Sequence, residues 1–178
     1  MKITLRKLRP FVLFVFSALL MACSNPTPKQ APSVVRPDTD RIAAVKAIRA
    51  AGAGDDSALQ VNPLRDPAVE GFLAKAEQAE QLQRLDDAHV AIQKAQALAP
   101  DAPDILQKEA EIEFLRGNII EAEKLAYESF KKGPQVGTLC VQNWQTIIEA
   151  RKSFGDNDYL PHAEKRRKEC TVKRPVRL

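Results

Sequence analysis

Few side chains in this sequence could do chemistry: among 178 residues there are two histidines and three cysteines. His89 and His162 lie far apart, and neither sits with a nucleophile and a carboxylate in a spacing that would make an acid–base relay. Carboxylates are abundant, with 14 acids against 8 bases over residues 66–135. Their spacing, as in Glu77 and Glu80 or Glu109, Glu111 and Glu113, is that of a solvated helix surface rather than of an opposed acid–base pair. His89 reads as part of a similarly solvated helix. There is no P-loop, no glycine-rich phosphate cradle and no zincin helix. With no CxxC pair and no histidine cluster, neither a metal nor another cofactor is expected. The expected chemistry is binding rather than catalysis.

Cys23 is the exception, because of what precedes it. Residues 1–10 carry Lys2, Arg6, Lys7 and Arg9 and no acid, and an eleven-residue apolar run follows at 11–21. At ~1.5 Å per residue such a run is too short for a bilayer core of ~30 Å, so it reads as an export signal. Leu20-Met21-Ala22-Cys23 resembles a bacterial lipobox, in which a small residue admits the signal peptidase and the Cys23 thiol accepts the lipid. Lipoproteins of this kind carry several acyl chains, and more than one is needed for stable anchoring. Ser24 in place of aspartate favours, by the same resemblance, the periplasmic face of the outer membrane. Cys140 and Cys170 remain. In an oxidising compartment an even remainder suggests one disulfide, the alternative being two free buried thiols.

Bulk charge gives no argument for a polyanion partner. The whole chain has a formal charge of +4, but residues 1–22 contribute four bases and no acid, leaving 23 bases against 23 acids. Nucleic acid is therefore not expected. Charge is nevertheless segregated: residues 66–135 net −6, whereas residues 164–178 net +5. Lys165, Arg166, Arg167 and Lys168 form a basic patch that reads either as a solvated helix end or as a contact for an acidic partner or for anionic envelope polymers.

Stepping outward from these residues, the chain divides into a signal at 1–22, a tether at 23–65, a folded domain at 66–171 and a basic tail at 172–178. The tether holds Pro26, Pro28, Pro32, Pro37 and Pro63 and no aromatic residue, too little apolar surface to offset chain entropy. One stretch differs. Asp40 as N-cap, an Ala-rich middle, Ile42, Val45 and Ile48 on one stripe and a closing Gly52 predict a short helix at 40–51. Read alone, it is a marginal helix inside the tether; the sharper alternative is a segment that docks on the domain.

The domain repeats itself with a period of 34 residues. Phe72 aligns with Leu106, Ala76 with Ala110, Ala88 with Ala122, Ala95 with Ser129, and Pro100 with Pro134. Helices are expected at 67–83, 86–98, 103–116 and 119–132, with Pro67 and Pro103 in first turns and Gly117 and Gly133 at ends. A degenerate third pair follows at about 135–152 and 159–170. Antiparallel packing of that pair places Cys140 opposite Cys170, and Trp144 reads as core of this terminal cap.

These positions resemble the tetratricopeptide repeat, whose small residues let paired helices cross closely and stack. The implied fold is all-α: a small tetratricopeptide-repeat solenoid of two full repeats and a capping helix pair after a disordered tether. Lys75, Glu109, Ala79 and Glu113 depart from the repeat pattern. The resemblance also implies an inner groove lined by Glu70, Leu73, Glu77, Glu80, Asp104, Gln107, Glu111 and Phe114, acidic with apolar floor points and suited to a basic or extended peptide.

The layout of anchor, long tether and short repeat domain resembles the pseudomonad-type lipoprotein activator of a bifunctional peptidoglycan synthase. That resemblance implies a non-catalytic outer-membrane lipoprotein whose repeat domain binds the regulatory domain of a class A penicillin-binding protein in the periplasm. The alternative is a pilotin-like or scaffold lipoprotein for a pilus or secretion complex.

Overall fold

Proline and glycine set most of the helix boundaries. In the computed structural model the described residues are 38–53 and 64–171. The signal at 1–22, Cys23, most of the tether and the tail at 172–178 lie outside them. Among the described residues the chain forms seven helices: α1 (Thr39–Ala53), α2 (Pro67–Gln81), α3 (Leu85–Leu98), α4 (Pro103–Arg116), α5 (Ile119–Lys132), α6 (Thr138–Phe154) and α7 (Leu160–Glu169). Asp66 caps α2 by accepting the Ala68 N–H at 2.7 Å, and Pro67 occupies a position whose missing N–H costs nothing. Gly117, at φ +90°, ends α4 in the left-handed region that a side chain rarely adopts. Helix α2 stops at 81 rather than 83 because Gln83 has φ +56°. The Arg84 N–H then turns back onto the Ala79 carbonyl at 2.8 Å.

The architecture is an all-α, tetratricopeptide-like solenoid in which α2 pairs with α3, α4 with α5 and α6 with α7, each pair stacking on the next. The small repeat positions lie at the crossings: Ala76, Ala88, Ala95, Ala110, Ala122 and Ser129 are all fully buried. The Ser129 hydroxyl also donates to the Pro103 carbonyl at 2.6 Å, tying the end of α5 to the start of α4. Phe72 and Leu73 pack beside the first pair's core, and Leu106 lies in that of the last two pairs.

The last pair closes the stack. Cys140, in the first turn of α6, is disulfide-bonded to Cys170 after α7, and the Gly137 N–H donates to the Cys170 carbonyl at 2.8 Å. Trp144 is a core residue, only 2% exposed. Phe130 meets it edge-on at 5.2 Å between ring centroids and His162 at 6.1 Å.

The tether reading needs correction. Residues 39–53 form a helix three residues longer than the expected 40–51, capped by Asp38, which accepts the Arg41 N–H at 2.9 Å, rather than by Asp40. It packs on α6 and α4, so the folded body starts well before residue 66. Val45 and Ile48 are buried with Phe114, Leu115 and Ala150. The physical reason is that an isolated helix of this length is marginal in water, whereas burying two aliphatic side chains contributes ~3–6 kcal/mol.

The disulfide closes a loop with a sequence separation of 30, for which chain entropy predicts about 3–4 kcal/mol. Replacing both Cys140 and Cys170 by serine is expected to lower the unfolding free energy by about that amount. Denaturant titration with and without reductant measures it; equal midpoints for wild type and variant under oxidising conditions would contradict it.

Candidate functional site

The first helices of the three pairs, α2, α4 and α6, form the face on which the expected groove residues lie. The structure places them unequally. Glu70 and Glu77 are exposed, and Leu73, Glu80 and Asp104 are partly buried. Gln107, Glu111 and Phe114 are buried. The expectation of an open groove over α4 is therefore corrected: α1 lies along that face. Arg41 sits against Gly117, Arg49 against Glu111 and Gly52 against Gln142, so α1 runs antiparallel to both α4 and α6. Gly52 allows this approach, since a Cβ there would fall 2.6 Å from the Gln142 side chain.

Arg49 is the polar centre of the contact. Its Nε donates to Glu111 Oε2 at 2.7 Å, and its Nη2 pairs with Glu80 Oε1 at 2.7 Å. Glu80 also receives Lys108 Nζ at 3.1 Å, and Glu111 receives Gln107 Nε2 at 3.3 Å. Gln107 in turn donates to Thr146 Oγ1 at 3.0 Å, linking α4 to α6. Burial favours the neutral form of Glu80, but Lys108 and Arg49 outweigh it and hold the carboxyl below its ordinary value. Burial likewise works against charge on Arg49, and Glu111 and Glu80 reverse the effect and raise its pKa. A second arginine lies at the edge: Arg65 pairs with Asp104 and approaches Glu70 at 3.8 Å. The acidic face is real, and four of its five carboxylates are met by arginines that precede the repeats in sequence.

Reading Glu109, Glu111 and Glu113 as solvated is also corrected, because all three are buried. Helix α4 is covered by α1 and α6 on one side and by α3 and α5 on others. Glu113 is held by Arg116 Nη1 at 2.5 Å and by Asn118 Nδ2 at 2.5 Å. His89 Nδ1 lies 2.6 Å from the same carboxylate, so this histidine is a partly buried neighbour of Glu113 and not a solvated residue. Burial lowers the His89 pKa in spite of Glu113. Its i+4 partner Gln93 gives no hint of this; the signal available in the sequence was the departure of Glu113 from the repeat pattern.

The basic patch divides. Arg166 is built into the cap: its guanidinium lies 5.5 Å from the Phe130 ring and 5.4 Å from Trp144, and it pairs with Glu169 at 2.6 Å. Arg167 donates to Gln145 Oε1 at 2.6 Å. Lys165 and Lys168 are exposed. Among the described residues no group of three His, Cys, Asp or Glu side chains could hold a metal ion. Among them, too, no helix is long and apolar enough to cross a membrane.

No protein-family profile and no curated protein matches the chain. A solved structure does. The chain is similar to the globular C-terminal domain of P. aeruginosa LpoP. The two share 26% identity with a TM-score of 0.54, over 61% of this chain and 100% of that one. The similarity thus spans all of that domain.

Glu109 supplies a direct test of the buried acidic core. Burial, with Glu113 and Glu121 adding to it and Lys124 opposing, pushes its carboxyl up to about 7. A pKa raised on folding means stability that is fully present below the unfolded value near 4.5 and is lost as pH rises through about 7. Glu109→Gln is expected to flatten this slope between pH 4.5 and 7 and to stabilise the protein by ~1–3 kcal/mol at pH 8. Chemical denaturation at the two pH values reads it; a variant with the wild-type slope would show that Glu109 ionises normally.

Proposed function

We propose that this chain is a non-catalytic outer-membrane lipoprotein, anchored through Cys23, whose repeat domain binds and activates a class A peptidoglycan synthase in the periplasm. The observation that carries the reading is the similarity to LpoP, which extends over the whole globular domain of that protein. The activator resemblance rests on the same layout: a lipobox at Leu20–Cys23, a proline-rich stretch and a short helical repeat domain. The acidic, arginine-paired face supports a binding role. Helix α1 shortens the connection such a lipoprotein would have. With α1 docked, residues 24–38 separate Cys23 from the folded body, a span of at most ~50 Å at ~3.3–3.6 Å per residue.

The chain from Ser24 onward should bind the purified periplasmic region of a class A synthase saturably and raise its glycan polymerisation rate. Absence of both effects, with the helical signal of the domain intact, would sink the activator reading and leave the envelope-assembly scaffold.

A further inference from the structure

The contact between α1 and the repeats has the composition of a ligand in a site rather than of a core. On one side it buries Val45 and Ile48 against Phe114 and Ala150. On the other, Arg49 places one guanidinium between two carboxylates from different repeats, Glu80 and Glu111. The arginine side chain is still 41% exposed while its two partners are 12% and 6% exposed. The carboxylates are thus built into the face and the cation is delivered to them from outside. The floor beneath is polar. Gln107 and Thr146 are buried and bonded to each other, yet Gln107 Oε1 has no hydrogen-bond partner. On α6, Asn143 shares a helical stripe with Thr146 and Ala150, is fully buried, and has both amide atoms unpaired. Buried polar atoms left unpaired favour a state in which water or another partner reaches them. Helix α1 meanwhile keeps Ile42 half-exposed, and its own sequence is short of the length that would hold it helical alone.

We propose that the face formed by α2, α4 and α6 is a binding site for an amphipathic helix that presents two aliphatic side chains three residues apart followed by an arginine, and that α1 occupies it in cis. The occupant argued for is a helix of a partner protein carrying the pattern of Val45, Ile48 and Arg49. The charge of the face selects it: Glu80 and Glu111 need a cation between them, and Arg49 is the cation the chain itself supplies. Only residues 54–66 join α1 to α2, a short connection that gives the cis helix an effective concentration in the millimolar range. A partner helix therefore competes against a tethered occupant, and its apparent affinity falls in proportion to the fraction of faces left open. The inference deepens the partner-binding reading, but it concerns the face itself and can fail or succeed whether or not a synthase binds.

The test cuts the tether between occupant and site without altering either. A protease site inserted within residues 54–63 of the chain from Ser24 onward is cleaved after folding, and the product is diluted. The expected result is that the piece carrying α1 leaves, the repeats keep their helical signal, and a synthetic peptide of residues 38–53 rebinds saturably. The same peptide with Arg49→Ala should bind at least tenfold more weakly, and with Ile48→Asp not measurably. Uncut protein should take up the wild-type peptide at least a hundredfold more weakly than cut protein. If the α1 piece stays bound through nanomolar dilution, or if the repeats lose helicity when it leaves, α1 is part of the core and the proposal is wrong. Equal binding of the Arg49→Ala peptide would overturn the claim that the carboxylate pair selects the ligand. Concentration-dependent dimers of uncut protein that exchange α1 more tightly than the peptide binds would assign the face to a second copy and overturn the partner-helix assignment.

Discussion

The burial of α4 on several sides at once is the constraint around which the molecule is arranged. A helix in the middle of a stack of pairs must be apolar all round or must find a partner for every polar group it carries. This one has buried carboxylates at Glu109, Glu111 and Glu113. Each is answered by a different element. Glu111 is met by Arg49 from α1, Glu113 by Arg116 and Asn118 at its own C-terminal end, and Glu109 by burial that shifts it toward its neutral form. Removing the partner of Glu111 or of Glu113 while the carboxylate stays covered leaves a buried charge uncompensated, which costs more than an exposed ion pair contributes. The turn after α4 is therefore a condition of the fold, and the cover over Glu111 is what α1 supplies while it is docked.

The repeats were legible because their signal is periodic and local. Small residues at Ala76, Ala88, Ala110 and Ala122 recur at a fixed spacing, and each is buried by the helix with which it is paired in sequence. The capping pair was legible too, since Cys140 and Cys170 sit at the ends that antiparallel helices bring together. The groove was not. Residues such as Gln107 and Glu111 have surface-helix spacing, and nothing local to α4 announces that a helix some sixty residues earlier covers them. The hint was in the tether: Val45 and Ile48 form an apolar stripe too small to be stable alone. Such a stripe needs a partner surface, and α4 and α6 provide the one it has. The arginines give no local sign of this either, because their carboxylates come from two separate helices, α2 and α4.

The segregation of charge takes on a different meaning once the pairings are known. The repeats carry an excess of acid, yet on the inner face Glu70, Glu80, Asp104 and Glu111 are paired with Arg65 and Arg49, both from before α2. The basic end of the chain is only partly free. Arg166 stacks on the aromatic cap and Arg167 is bonded to Gln145, so these two side chains hold α7 onto α6. Of the four bases of this patch at 165–168, Lys165 and Lys168 are the exposed ones; Lys173, Arg174 and Arg177 lie outside the described residues. The desolvated carboxylate pair, Glu80 and Glu111, lies on the inner face.

Helix α1 couples two properties that are separate in a simple tethered domain. It covers the inner face, and it takes up chain between Cys23 and the repeats. While α1 is docked, 15 residues (24–38) span from Cys23 to the folded body; were it released, 43 residues (24–66) would. At ~3.3–3.6 Å per residue the upper limit of reach rises from about 50 to about 150 Å. Under the proposed reading of an anchored protein with a distant partner, the two effects would have the same sign: the state with the open face would also be the state with the longer reach. A partner helix that displaced α1 would thereby extend the chain holding it, so that capture at the inner face and release of the tether become one equilibrium rather than two.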